Sequence, residues 1–411
     1  MTKLYPTLNK FFPKASMLLF PVLLMFWLMP APAFSQDHGD HGHGDAAASH
    51  GESAHEAKAE FKMQDMIFNH INNSNDFHLF GHIAVPLPCI LYSKEDGLTF
   101  FMSSKLDHGH KAFNRYMLDE GIIKRLPVGF PEGEIEIGPV IREKINGEEV
   151  SKLTHAGHEY ELEKASNLMK FTSFYDFSIS KNVFSMILAA ILLGVIFLSV
   201  SKAYKNRSGQ APSGLQNFME IVINFIIDEV AKPMLGHKYM TYLPFLLTIF
   251  FFILTCNLMG LIPFFPFSAN VTGNIATTMA LALITFFITN LNGNGNYWKH
   301  IFWMPGVPVP MKIFLAPIEF LGIFIKPVSL MIRLFANITA GHIIILSLIG
   351  LIFVFGKLGT SIGGAVAGSA LAIPFTLFMN LIEFVVALIQ AFIFTILSAS
   401  YIGAATEETH H

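Results

Sequence analysis

The pattern of hydrophobic and polar positions changes character between residues 172 and 183. Beyond that point, apolar runs recur that can cross a hydrocarbon core about 30 Å thick at 1.5 Å per helical residue. The first is VFSMILAAILLGVIFLSVS, 183–201. YLPFLLTIFFFILTCNLMGLI (242–262) and IATTMALALITFFITNL (275–291) follow, then longer tracts at about 313–356 and 370–402. The last two exceed the roughly 20 residues of a straight crossing, so they are expected to be strongly tilted or partly outside the hydrocarbon. Between the first and second runs lies LQNFMEIVINFIIDEVAK, 215–232, where Gln216, Glu220, Asn224 and Asp228 recur every four residues. It reads as an amphipathic helix on the cytoplasmic surface or against a bundle, with burial of the polar face as the alternative.

Residues 61–172 follow a different period. HIAVPLPCILYS and GLTFFMSS flank the turn signal KEDG, and GEIEIGPVIREKINGEEV reads as strand, turn and strand. The expected fold class is an all-α polytopic membrane protein with five crossings, preceded by a small extracytoplasmic domain with β content.

The amino end fixes which side is outside. Lys3, Lys10 and Lys14 precede the apolar run MLLFPVLLMFWLM, and Ala33 and Ser35 stand before a cut at Gln36. That is a secretory signal peptide over 1–35. Residues 36–60, with His38, His41, His43, His50 and His55, offer no core and read as a solvated tail. Residues 61–172 then form the outer domain, 173–405 the membrane domain and 406–411 a cytoplasmic tail. Lys202, Lys205, Arg207, Lys232, Lys238, Lys299 and Lys312 fall in the inner connections of this topology, against Lys357 alone outside. The bias places the amino end outside and the carboxyl end in the cytoplasm.

Composition agrees. Of the 411 residues, 52% are hydrophobic and only 14% charged, where a soluble domain carries about 25% charge. A net charge of -3 with no basic block gives no sign of nucleic-acid binding. Cys89 and Cys256 fall in unlike contexts, so no disulfide between them is expected, and no CxxC occurs. Walker A, HExxH and nucleotide-binding fingerprints are also missing from the sequence. Neither a cofactor nor a resident metal is expected, and the chain is not expected to carry out bond chemistry alone.

What remains is a polar set inside the last two tracts. Running outward from the cytoplasm, the fourth tract presents Glu319 and Lys326, then Arg333, Asn337 and His342. The fifth returns with Asn380, Glu383 and Gln390, which share one helical face. Counted from outer ends near 356 and 370, His342 and Glu383 both lie about 20 Å along their helices, and Arg333 and Gln390 about 30–35 Å. If the helices are antiparallel neighbours, His342 meets Glu383 and Arg333 meets Gln390. Asn337 lies one turn from Arg333 on the same side. Histidine and glutamate exchange protons near neutral pH, whereas arginine stays charged. His342 and Glu383 are therefore candidates for proton intake, and Arg333 for a fixed charge facing a partner carboxylate. Glu319 and Lys326 either line an inner aqueous exit or snorkel at the interface. A proton-coupled metal transporter is the main rival reading, but it requires several converging ligands.

KPVSLMIRLFANITAGH (326–342) and ALIQAFIFTILSASYIGAA (387–405), with NLMGLIP (257–263) and SGLQNFME (213–220), resemble the a subunit of F-type ATP synthases. The resemblance covers roughly 175–405. It implies a stator subunit whose Arg333 faces a ring of c subunits, with Asn337 and Gln390 at the family's motif positions. It further implies an outer half-channel carrying His342 and Glu383, in an order similar to the mitochondrial one. The implied partners are the c ring, the b subunits of the peripheral stalk, the rest of the F0F1 complex and the lipid of a bacterial plasma membrane. The signal peptide, His-rich tail and outer domain depart from shorter bacterial members, and the resemblance says nothing of their role.

Overall fold

The computed structural model describes residues 73–407 apart from 81–82, 120, 139, 146–147, 167–171, 208, 263–265, 268 and 357–359. The expected signal peptide, the His-rich tail, residues 61–72 and residues 408–411 lie outside the described residues.

Strands β1 (Asp76–Phe80) and β2 (Ile83–Pro86) form an antiparallel hairpin. β3 (Pro88–Ser93) and β4 (Gly97–Met102) pair about the KEDG turn, as the alternation predicts. The hairpins β5 (Lys111–Phe113)–β6 (Tyr116–Asp119) and β6–β7 (Ile122–Arg125) follow, then β8 (Glu134–Glu136). β9 (Val140–Ile145), β10 (Glu148–His155) and β11 (His158–Glu161) make a three-stranded sheet. β12 (Glu163–Lys164) joins the sheet ordered β12-β7-β6-β5-β8. β13 (Phe174–Asp176) returns to pair with β3, giving the order β13-β3-β4. Cys89, Leu91, Phe101 and Phe174 point from that last sheet onto Tyr116 and Ile123 to make the domain's core. The expected β content is thus present.

The β13 ladder runs on toward the membrane, with Phe177 N–H donating to Ile90 O and Ile179 N–H to Pro88 O. Helix α1 (Lys181–Asn206) starts two residues later. Its N-cap, Ser180, makes no side-chain capping bond. Instead, Lys181 N–H donates to Ser74 O and Asn182 N–H to Asn73 Oδ1. Phe77 of β1 stacks edge-on against Phe184 of α1 at 5.5 Å. Phe77 and Leu87 belong to the same buried cluster as the membrane helices. The two parts of the chain share a seam.

After α1 come α2 (Leu215–Ile226), a π turn (Ile227–Ala231), the short α3 (Lys232–Leu235) and α4 (Tyr239–Gly260). Leu215–Gly260 is one helical stretch, broken only by tight turns, rather than a helix separate from the next crossing. Nor does the polar stripe of 215–232 face one way. Gln216 is buried, and Glu220 accepts a 2.8 Å bond from the Tyr204 hydroxyl of α1. Asp228 and Lys232 pair at the surface, while Leu215, Phe218, Ile221 and Phe225 are exposed.

α5 (Ile275–Leu291) begins where Asn274 Oδ1 caps Ala276 N–H, and α6 (Gly295–Phe302) leaves it at 101°. α7 (Val309–Phe355) and α8 (Ile362–Thr406) pack on one another, with α5 against α7 and α4 against α8. At 1.5 Å per residue each of the long pair measures about 70 Å, more than twice a hydrocarbon core. Among the described residues four helical stretches are long and apolar enough to cross a membrane, or five if α5 and α6 count as one bent span.

One expected connection is helical. The Gly-rich stretch read as an outer connection, up to about 370, contributes to α8 from Ile362 onward. Ser361 Oγ caps Gly364 N–H, and a Cβ on Gly364 would collide with Phe355 O. Glycine here permits backbone contact between α7 and α8 rather than breaking the helix.

Candidate functional site

The paired arrangement of α7 and α8 brings His342 and Glu383 together, as the helical count predicts. His342 Nδ1 lies 3.1 Å from Glu383 Oε1, and Glu383 is 3% exposed. Among the described residues neither carboxylate oxygen has an aligned hydrogen bond, so the contact with His342 is one of proximity. Room for this carboxyl comes from Gly341: a Cβ there would lie 2.9 Å from Glu383 Oε1.

The second expected pairing differs. Gln390, 1% exposed, accepts a 2.9 Å bond at Oε1 from Asn337 Nδ2, not from Arg333. The helical rise explains the difference. From the His342–Glu383 level, Gln390 is about 10 Å further in, Asn337 about 8 Å and Arg333 about 14 Å. Gln390 therefore sits between the two α7 residues, and the shorter amide reaches it. Among the described residues no carboxylate lies within ion-pair distance of Arg333, which is half-buried, with exposed Ala336, Asn337 and Ala340 beside it on the outer face of α7. Asn380 is exposed, one turn before the buried Glu383 on α8.

Three residues outside the expected set complete the His342–Glu383 end of the site. Asn257 of α4 is buried, donates to Ala387 O of α8 and accepts a 2.6 Å bond from Thr272 Oγ1. Thr339 of α7 lies 3.4 Å from Gly273 O. These bonds fasten the loop after α4 over the pair, and Gly260 leaves His342 Nε2 within 3.8 Å of where its Cβ would be. Asn257 falls inside the NLMGLIP stretch that carries the resemblance, but nothing in the sequence pointed to Thr272.

On the amino-terminal side of Arg333 along α7, Lys326 Nζ lies 5.6 Å above the Tyr401 ring. Both line a cavity of about 10 Å³, room for one water, together with Thr289, Asn290 and Tyr297. Among the described residues Thr289 Oγ1 is buried there without a hydrogen-bond partner, and the Tyr297 hydroxyl donates to Asn290 Oδ1. Among the described residues no three His, Cys, Asp or Glu side chains converge as a metal set. Cys89 and Cys256 are both free and buried.

Comparison with known proteins divides the chain along the same seam. Residues 66–166 match a domain of unknown function (DUF8433), and residues 183–403 match the model described as ATP synthase A chain. The chain is 43% identical over 264 residues to ATP synthase subunit a of Chloroherpeton thalassium, covering 62% of this chain and 75% of that one. It is 46% identical over 238 residues to ATP synthase subunit a 2 of Chlorobaculum tepidum, covering 56% and 64% respectively. For the Anaeromyxobacter dehalogenans subunit a the identity is 40% over 245 residues, 57% of this chain and 59% of that one. The matched family model spans more than half of the sequence, from the first membrane helix almost to the end of the last, and the chain belongs to the ATP synthase A chain family.

Proposed function

We propose that the polar set of α7 and α8 divides proton translocation into an outer intake, a fixed barrier and an inner release. Membership of the family makes the chain a non-catalytic stator subunit of the F0 sector, coupling proton flow to rotation of the c ring and to ATP synthesis. The site roles, the five crossings, the outward amino end and the contacts with b subunits are our reading.

The observation that carries the intake is the approach of His342 Nδ1 to within 3.1 Å of the Glu383 carboxyl, which is buried and has no aligned hydrogen bond among the described residues. A carboxyl already bonded by several donors is held ionised, whereas one bonded by few can take up and pass on a proton. The imidazole beside it accepts protons from water on the outer side and delivers them inward. Arg333 cannot relay, because its guanidinium does not deprotonate. Its charge faces a rotor carboxylate, holds that group ionised while it passes and repels a proton that would leak through. The alanines beside it permit close approach. Asn337 and Gln390 bond each other and keep that face polar without neutralising the arginine. Beyond it, Glu319, Lys326 and the small cavity near Tyr401 line the release path toward the cytoplasm. A metal transporter would need converging ligands, and the pair His342–Glu383 is too few.

The test is Arg333→Ala in the assembled complex. Membrane vesicles carrying it lose proton-driven ATP synthesis while the soluble head still hydrolyses ATP. Vesicles that kept coupled synthesis would exclude Arg333 as the barrier.

A further inference from the structure

Among the described residues, one face of the β13-β3-β4 sheet of the outer domain is exposed. On β4, Leu98, Phe100 and Met102 are 70%, 65% and 38% exposed, and on β3 Tyr92 is exposed beside them. Tyr92 pairs with both Leu98 and Tyr175, and Ile90 with Phe100. Phe177, exposed, stacks on Tyr175 with ring centroids 6.4 Å apart. Pleating requires the opposite residues, Cys89, Leu91 and Phe101, to form the core, but it does not require their neighbours to be aromatic. An apolar patch of this kind on a soluble face marks an interaction surface.

We infer that this sheet face lies on the outer leaflet of the bilayer, continuing the lipid-facing surface of α1. The inference rests on the membrane reading of α1. Three observations choose lipid as the occupant. The sheet is joined to the membrane: its ladder reaches Ile179, and α1 begins at Lys181. Four extended residues span at most about 14 Å, which bounds the distance of Phe177 from the start of that helix. The sheet cannot swing away, because β1 and Leu87 are packed into the buried cluster of the membrane helices, and Ser103 at the end of β4 exchanges bonds with Leu87. Finally, tyrosine, phenylalanine and leucine beside the exposed Lys94 of the β3–β4 turn is the composition of an interfacial surface, where rings sit at headgroup depth and lysine meets phosphate.

Fluorophore-labelled cysteines in the assembled complex, reconstituted in nanodiscs, test this. Cys89 and Cys256 are buried and free, so the native chain supplies a quiet background. Phe100→Cys and Leu98→Cys take the reporter on the face, Ile141→Cys on the exposed side of β9, and Ile191→Cys on the lipid-exposed side of α1. Lipids carrying a nitroxide near the headgroup quench a label in the leaflet, and aqueous iodide quenches one in water. Labels at 98 and 100 are expected to show blue-shifted emission, quenching by nitroxide lipid and loss of iodide quenching, with 141 the reverse. Iodide quenching at 98 and 100 would overturn the inference in favour of a bare face. Protection from both quenchers there would overturn it in favour of a protein cover. Failure of lipid quenching at 191 would instead overturn the membrane reading on which the inference rests.

Discussion

Among the described residues, charged groups withdrawn from water are treated in opposite ways in the β-stranded domain and in the long membrane helices. In the outer domain they are paired on several sides. Arg125, with a side chain 3% exposed, donates to Glu95 at 2.7 Å, Asp96 at 2.6 Å and Ser173 at 2.7 Å. Asp119 and Lys124, both 6% exposed, pair at 2.5 Å, and Arg142 and Ser151 complete the group. Burial opposes ionisation of Asp119, but the Lys124 bond and the charges of Lys124 and Arg142 outweigh it and hold its pKa below the ordinary value. In the membrane domain Glu383 has His342 beside it but no aligned bond, and Arg333 has no carboxylate among the described residues. A bilayer penalises such groups more than a water-bathed domain does. The better-solvated region thus holds the better-paired charges. Satisfied charges hold a shape; under-satisfied ones in an expensive place are kept for what they can exchange.

The comparison breaks first at the carboxyl. Glu383→Gln keeps the volume and removes the proton, and ATP-driven proton pumping is expected to fall about 10³-fold, the scale of a lost proton-transfer group. Unchanged pumping would make Glu383 a packing residue like those of the outer domain. Asp119→Ala is the mirror case. It leaves the Lys124 ammonium buried with its main partner gone, at a cost of about 3 kcal/mol to the domain. Thermal or urea unfolding of the complex followed by a label at residue 141 measures that loss, and pumping per assembled complex should not change. Gly341→Ala comes next. The new methyl displaces the Glu383 carboxyl without altering any titratable group, so pumping should fall about tenfold. Gly341→Ala with full activity would show that the carboxyl has slack.

The smallest effect is the most specific. Because the folded-state pKa of Asp119 is depressed, its contribution is present above the unfolded value of about 4 and is lost as pH falls through the folded one. Asp176 acts with the opposite sign: burial raises its pKa, so its contribution is present below the unfolded value and is lost as pH rises through the folded one. Unfolding midpoints across about pH 2–5 should fall on acidification, and Asp119→Asn should flatten that slope. An unchanged slope would mean that other carboxylates dominate the acid limb.

Much of this was legible in the sequence, and the residues show where legibility ends. KEDG between alternating runs specified β3 and β4, because turn chemistry and period two are local. His342 and Glu383 met because two helices joined by a short connection must run side by side, so depth can be counted. Gln390 bonds Asn337 rather than Arg333 because its depth falls between the two, and a count of residues does not choose between neighbours one turn apart. Gly364 and Gly368 read as a connection because glycine is a poor helix former alone; only the neighbouring Phe355 shows why the helix accepts them. Thr272 was invisible. Its partner Asn257 is brought to it by a loop whose path no periodicity encodes.

The bonds at the start of α1 bear on how the chain can be shortened. An engineer wanting the membrane part alone would cut before residue 181, close to where the family match begins. There the first free amides of the helix are held by Ser74 O and Asn73 Oδ1, more than a hundred residues upstream. A trimmed chain inherits an uncapped end at the edge of the hydrocarbon, costing about 1 kcal/mol for the missing cap, and exposes the face of Phe184 that Phe77 now covers. A workable graft carries its own serine or aspartate cap and an aromatic to replace Phe77.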